Sequence, residues 1–173
     1  AFDGKDGEGW LEDLAMVYGE PENLAPNGFA RTGYTFVGWN AESDGSGKAY
    51  SDKQEVSNLT AADGATVVLH AQWRPNEYAV VFDANDGDAV GEMGNQGFKY
   101  DAAAALKACG YELEGHTFAG WGTSPEGGRV DYADRQVVKN LTSEDGGKVT
   151  LYAQWSIDTH TVDGTLWAVP KDY

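Results

Sequence analysis

The feature that most constrains this chain is an internal repeat with an offset of 82 residues. The segment Gly33-Tyr-Thr-Phe-Val-Gly-Trp39 recurs as Gly115-His-Thr-Phe-Ala-Gly-Trp121. From Arg31 to Trp73, 20 of 43 positions are identical to the partner segment without a gap. Such self-similarity predicts one supersecondary unit that folds twice. We therefore divide the chain into repeat 1 (1–73), a link (74–77), repeat 2 (78–155) and a C-terminal segment (156–173).

A strand is predicted at the end of each repeat by a period of two. Four alternate positions from Val67 to Trp73 are identical to their partners, whereas His70 is replaced by Tyr152. Fixed residues alternating with variable ones are typical of a strand with one buried and one open face. Combining this pattern with the recurring aromatic motifs, we predict a structural core made of Phe36, Trp39, Leu69, Trp73, Phe118, Trp121, Leu151 and Trp155.

The order of the remaining elements predicts the fold class. The apolar run Tyr78–Phe82 reads as a central strand, and Gly97–Tyr100 as the strand that returns beside it. Asp101 is a suitable cap for a short helix over residues 102–108, followed by Gly110, and Pro26 weakens the equivalent turn in repeat 1. We therefore predict an α+β fold of two tandem β-grasp (ubiquitin-like) modules, mostly β with one short helix each. The C-terminal segment reads as a hairpin or as the start of a further domain.

The motifs also resemble a known family. The series Phe82-Asp-Ala-Asn85, Gly115–Trp121, Asn140-Leu-Thr142 and Leu151-Tyr-Ala-Gln-Trp155 is similar to the Listeria–Bacteroides repeat, which is related to the B-repeat of internalins. This resemblance implies an exported bacterial protein located at the cell surface or cell wall, with a β-grasp-like fold and no catalytic residue. Only Ala1 precedes Phe2, where the family has most of a strand, so we expect a piece of a longer array.

Charge and composition exclude several partners. The chain has 28 acidic and 12 basic side chains, a net charge of -16, so it repels the phosphates of nucleic acids. Its apolar runs are too short to span a bilayer, so we predict no membrane insertion. The single cysteine, Cys109, excludes an intrachain disulfide. We expect this piece of the chain to be a monomer.

No arrangement of reactive side chains predicts catalysis or metal binding. The three histidines, His70, His116 and His160, do not have the spacing of a metal site or a catalytic triad. The acidic turn that begins at Asp83 has glycine at position 5, whereas an EF-hand loop needs it at position 6. Cys109 has no histidine near it in the sequence and reads as a small buried residue. We therefore predict no catalytic residue, no metal and no cofactor.

Three functional hypotheses follow. The first is a non-catalytic, semi-rigid spacer or stalk in a bacterial surface protein, because two repeats are joined by a short link that contains Pro75. The alternative is an adhesion module that binds a host protein or glycan through the open face carrying His70 and Tyr152. The third is an accessory or catalytic part of a secreted enzyme, which only the abundance of Asp and Glu favours.

Overall fold

A computed structural model describes residues 1–159 of the chain, and this part is built from strands and turns. No helix occurs in the described residues. The strands, in chain order, are β1 (Phe2–Asp3), β2 (Glu8–Gly9), β3 (Glu22–Asn23), β4 (Phe29–Ala30), β5 (Tyr34–Asn40), β6 (Ala49–Tyr50), β7 (Glu55–Val56), β8 (Leu69–Pro75), β9 (Glu77–Asp83), β10 (Gln96–Lys99), β11 (Ala104–Ala105), β12 (His116–Gly122), β13 (Val137–Val138) and β14 (Lys148–Ile157).

The prediction of α+β, β-grasp modules with one helix each is therefore wrong, because the described chain is all-β. The expected helix is replaced by β11, which pairs antiparallel with β13. Only Leu106 is buried between residues 102 and 108, so a helix here would bury a single side chain. A helix this short does not repay its nucleation without such packing. Asp101 does not act as the expected cap either, because its φ is 62° and a cap residue is extended.

In repeat 1, too, a pair of short strands stands where a helical turn was expected. Its β3 pairs antiparallel with β7, and the N–H of Leu24 donates to the carbonyl of Gln54 at 2.9 Å. In repeat 2, the N–H of Leu106 donates to the carbonyl of Gln136 at 2.9 Å. Leu24 and Leu106 are both 2% exposed. The alanine run of repeat 2 and its counterpart in repeat 1 therefore each form a short strand pair followed by one buried leucine.

The longer strands form two four-stranded sheets. One has the order β1-β8-β5-β6 and the other the order β10-β9-β14-β12. In the first, β1 runs parallel to β8 while β5 is antiparallel to both of its neighbours. Three two-stranded sheets, β2-β4, β3-β7 and β11-β13, complete the pairing. The central position of β9 agrees with its continuous apolar sequence.

A tryptophan occupies the centre of each repeat. Trp39 is 1% exposed and its ring centroid lies 4.9 Å from that of Phe2. Trp121 is 0% exposed and lies 4.8 Å from Phe82. The strand that carries each tryptophan has a bulge just before it, at Gly38 in repeat 1 and at Gly120 in repeat 2, where φ is near 144°. A Cβ at either glycine would lie under 3 Å from a backbone carbonyl oxygen of the neighbouring segment. The motif Thr-Phe-x-Gly-Trp therefore needs its glycine for both conformation and space.

The described chain divides into two compact units whose boundaries do not coincide with the repeats. The first unit comprises residues 1–81, 95–106 and 136–150. The second comprises residues 82–94 and 107–135, and continues from residue 151. The first unit contains all of repeat 1 and the link. The repeat boundaries themselves stay a prediction, and the predicted C-terminal hairpin falls beyond residue 159, outside the described residues.

Candidate functional site: the link between the repeats

The link between the repeats is built around one buried asparagine. Asn76 lies between β8 and β9, inside the first compact unit, and is 7% exposed. Its N–H donates to the carbonyl of Gly33 at 2.8 Å, in repeat 1. Its carbonyl accepts from the N–H of Tyr100 at 2.8 Å, in repeat 2. The backbone of this residue is therefore bonded to both sides of the link.

The Asn76 side chain forms a second pair of bonds across the link. The hydroxyl of Thr35 donates to its Oδ1 at 2.7 Å, and its Nδ2 donates to the carbonyl of Ser143 at 2.7 Å. A buried amide costs free energy unless its donors and acceptors are paired. Turning the link as a hinge would break bonds of this buried residue, so the geometry opposes free rotation.

Two link residues that flank Asn76, Arg74 and Glu77, both bond to Asp145 of repeat 2. Nη2 of Arg74 lies 2.8 Å from Oδ2 of Asp145, whose Oδ1 also accepts the N–H of Glu77 at 3.0 Å. The hydrogen bond from Arg74, followed by that from Glu77, lowers the pKa of Asp145. These groups are largely solvated, so the ion pair contributes little to stability. The bonds of Asp145 join residues on both sides of Asn76 to repeat 2.

Tyr34 of repeat 1 and Tyr100 of repeat 2 pack edge to face with centroids 5.9 Å apart. The hydroxyl of Tyr34 donates to Oδ2 of Asp101 at 2.9 Å. Hydrogen bonds from Asn140, Lys139 and Tyr34, in that order of effect, lower the pKa of Asp101 to about 2. The same bond raises the pKa of Tyr34. The carboxylate therefore stays ionised well below the usual pKa of an aspartate, and its bond to Tyr34 is one contact between the two repeats.

This site was not predicted from the sequence. The repeats differ at two of its residues, because Asn76 corresponds to Asp158 and Tyr34 to His116. Asp158 repeats part of the pattern: its N–H donates to the carbonyl of Gly115 at 2.9 Å, and it accepts the hydroxyl of Thr117 at 2.7 Å. The asparagine is distinguished by its amide donor, which an aspartate lacks.

The two predicted ligand-binding residues, His70 and Tyr152, lie in different compact units. His70 is half-buried, and its Nδ1 lies 2.8 Å from Oδ2 of Asp3. The pKa of Asp3 is lowered, first by the N–H of Lys5 and then by His70. Tyr152 is half-buried in the second unit, whereas His70 lies in the first. His70 is thus already paired with a carboxylate, and its part in ligand binding stays a prediction.

The structure places the predicted core residues in two groups. Trp39, Trp121, Leu69 and Leu151 are at most 2% exposed. Phe36, Phe118, Trp73 and Trp155 are half-buried. The indole N–H groups of Trp73 and Trp155 donate to the carbonyls of Gly4 and Ala84, both at 2.9 Å. Those of Trp39 and Trp121 have no hydrogen-bond partner within residues 1–159.

Reactive groups do not converge in the described part of the chain. Cys109 is half-buried, and burial raises the pKa of its thiol. Residues 1–159 contain no group of three or more His, Cys, Asp or Glu side chains placed to hold a metal ion. The same residues include no helix long and apolar enough to cross a membrane.

Comparison with known proteins gives two relatives from Evansella cellulosilytica. A protein named as a Gly-rich membrane protein is 34% identical over 134 residues, which cover 77% of this chain and 15% of that protein. A second, named as a membrane protein, is 26% identical over 132 residues, covering 76% of this chain and 17% of that protein. The chain thus spans about one sixth of the length of these relatives. Their names agree with a location in the cell envelope. No solved structure matches the chain.

The family model of the Listeria-Bacteroides repeat domain matches two separate segments, residues 1–62 and 78–154. These segments fall within the two repeats that the internal offset of 82 residues defines. The resemblance noted from the motifs is therefore confirmed. The chain belongs to the Listeria-Bacteroides repeat domain family and carries two tandem copies of the repeat.

Proposed function

We propose that this repeat region of a surface protein is a non-catalytic, semi-rigid spacer that holds the parts of its parent chain at a set separation. The observation that carries the proposal is the buried Asn76, which bonds to Gly33 and Thr35 on one side and to Tyr100 and Ser143 on the other. A flexible tether needs no such residue, because a solvated Gly- and Ser-rich link suffices. The net charge of -16 keeps neighbouring spacers apart within a Debye length of about 8 Å.

The experiment measures the width of a distance distribution across the link. Spin labels are attached at Ser57→Cys in repeat 1 and Ala103→Cys in repeat 2, both exposed, in a chain that also carries Cys109→Ser. We expect a narrow distribution in the parent protein and a broader one in Asn76→Ala. Each partner left unpaired costs about 1–3 kcal/mol.

Asn40 provides the matched control. It is 3% exposed, and its amide donates to the carbonyls of Gly45 and Gly47 at 3.0 and 3.1 Å, within repeat 1. Asn40→Ala therefore loses stability by the same chemical change without touching the link. A narrow distribution in Asn40→Ala with a broad one in Asn76→Ala supports the spacer. A distribution already broad in the parent protein refutes it.

Adhesion to a host protein or glycan stays a second proposal, based on the equivalent positions of His70 and Tyr152. The contact between His70 and Asp3 does not favour it. A glycan array and a cell-binding assay that are positive for the parent protein and negative for His70→Ala and Tyr152→Ala would support adhesion over a passive spacer.

A further inference from the structure

The first and last strands of repeat 2 run side by side in the same direction. β9 and β14 are neighbours in their sheet. The N–H of Gly146 donates to the carbonyl of Glu77 at 2.7 Å, and the N–H of Ala79 donates to that of Gly147 at 2.9 Å. The bonded residues advance together along both segments, which is the pattern of a parallel pair, as β1 and β8 form in repeat 1. The chain therefore enters β9 at one end of this pair and leaves β14 at the other end.

A tryptophan side chain bonds the first strand to the last strand in each repeat. In repeat 2, Nε1 of Trp155 on β14 donates to the carbonyl of Ala84, the residue after β9, at 2.9 Å. In repeat 1, Nε1 of Trp73 on β8 donates to the carbonyl of Gly4, the residue after β1, at 2.9 Å. Both bonds therefore join the last strand to the end of the first strand.

Aromatic packing fixes the orientation of both indoles. The ring of Trp155 packs edge to face on Phe118 with centroids 5.7 Å apart, and the ring of Trp73 packs on Phe36 at 5.6 Å. Each phenylalanine lies directly opposite its tryptophan in the antiparallel pairing on the other side of the last strand. The indole is thus held from that side, so sliding of the first strand along the last strand breaks its hydrogen bond.

An asparagine adds a second side-chain bond between the same segments of repeat 2. Nδ2 of Asn85 donates to the carbonyl of Ala153 on β14 at 3.1 Å, and to that of Pro125 at 3.1 Å. The backbone of Asn85 is left-handed, with φ of 56°, and its N–H donates to Oδ1 of Asp83 at 2.7 Å. The turn that follows β9 is therefore bonded to β14 by two side chains, this amide and the indole.

The link passes tension from one repeat directly into the next. β8 ends at Pro75 and β9 begins at Glu77, so Asn76 alone separates the last strand of repeat 1 from the first strand of repeat 2. Tension along the chain therefore pulls β9 at its first residue and β14 at its far end. In this geometry the force lies along the two strands and across their hydrogen bonds, so these bonds must break together.

We propose that each repeat bears tension along the chain, and that the indole N–H of Trp73 or Trp155 is a latch that slows forced unfolding by bonding the last strand to the first. In repeat 2 the latch shares the force with the Asn85 amide and the two backbone bonds of β9. Loss of one such bond changes an unfolding rate by roughly fivefold. The inference extends the spacer proposal, because a spacer that resists tension keeps its length under pulling.

The test compares two directions of pulling on the whole chain, held at constant force in magnetic tweezers. Both variants carry Cys109→Ser and an attachment cysteine at Thr159→Cys. The shear variant has its second attachment at Glu77→Cys, where β9 begins, and the peeling variant has it at Glu114→Cys, just before β12. The three attachment positions are exposed. The peeling variant separates the antiparallel neighbours β12 and β14 from one end.

We expect the shear variant to stay folded at least about tenfold longer than the peeling variant at the same force. Several bonds break together in the first direction and one at a time in the second, and forced unfolding is governed by the unfolding rate. Equal lifetimes in the two directions overturn the proposal that the repeat bears tension. This comparison needs no substitution at a tryptophan, so it decides the matter even where a latch variant does not fold.

Trp155→Phe tests the latch, because it keeps an aromatic ring and removes the N–H. We expect its lifetime to fall by about fivefold in the shear direction and by less than about twofold in the peeling direction. Asn85→Gly removes the second side-chain bond at a residue whose left-handed φ suits glycine, and it should show the same preference for the shear direction.

Trp121→Phe is the matched control, because its indole N–H has no partner within residues 1–159. It should shorten the lifetimes without a selective loss in the shear direction. A loss in Trp155→Phe that is equal in the two directions overturns the latch and leaves Trp155 a packing residue. These readouts are lifetimes under force and do not involve the width of the link distribution, so the spacer proposal can fail independently.

Discussion

Two glycines at equivalent positions separate the cost of a backbone conformation from the cost of packing at the link. Gly33 and Gly115 both have left-handed backbones, with φ of 76° and 70°. A Cβ at Gly33 would fall inside the van der Waals distance of the Tyr100 ring carbons, whereas at Gly115 it would meet no atom of residues 1–159 within 4 Å. Gly33→Ala and Gly115→Ala therefore share the cost of a left-handed backbone, and only Gly33→Ala adds the cost of packing against the Tyr100 ring.

The magnitudes follow from these two contributions. An L-residue in the left-handed region costs about 1–2 kcal/mol, and this applies to both variants. Overpacking against a ring adds about 1–3 kcal/mol, and this applies to Gly33→Ala alone. We expect the free energy of unfolding to fall by about 1–2 kcal/mol in Gly115→Ala and by about 2–5 kcal/mol in Gly33→Ala.

The assay is urea unfolding followed by tryptophan fluorescence, for both variants and for each combined with Tyr100→Ala. Removing the ring should abolish the additional cost of Gly33→Ala and leave that of Gly115→Ala unchanged, as a double-mutant cycle measures. Equal losses in the two single variants, or an additional cost that persists without the ring, would refute the account of packing at the link.

Three other predictions address the core, the link and the thiol. Trp121→Ala should lower the free energy of unfolding by about 3–5 kcal/mol. Trp121→Phe should lower it by less, because the indole N–H has no partner in the described residues and its loss breaks no hydrogen bond there. Chemical denaturation measures both. The depressed pKa of Asp101 stabilises the fold above the unfolded carboxyl pKa of about 3.9, so the stability gap between the parent protein and Asp101→Asn should shrink as the pH falls from 4 to 2. Thermal unfolding across that range tests it, and a constant gap would contradict it. Cys109 should react with a thiol reagent several-fold more slowly than a small-molecule thiol at pH 8, and equally fast once unfolded, because burial raises its pKa.

Much of the strand pattern could be predicted from the sequence because the two repeats carry the same pattern. The apolar run Tyr78–Phe82 forms the central strand β9, and the strand predicted over Gly97–Tyr100 overlaps β10 beside it. Alternation of fixed and variable positions reports a buried face directly, since inward side chains must keep their shape in both copies. Local sequence was sufficient wherever one strand face is buried.

The helix over residues 102–108 shows where local sequence was misleading. Four consecutive alanines favour a helix by propensity, but only Leu106 is buried there. Pairing between β11 and β13 satisfies the backbone and places that leucine in the core, and this partner is more than 30 residues away in the chain. Propensity is a small preference that tertiary packing overrides.

The sequence by itself determined that the chain has two copies of one repeat with a shared Thr-Phe-x-Gly-Trp motif, and the family to which these copies belong. Only the tertiary structure decided what joins the copies. The four bonds of Asn76 connect residues as far apart as Gly33 and Ser143. Periodicity and motifs report contacts within one element, whereas the pairing of a buried amide depends on groups that meet only after folding.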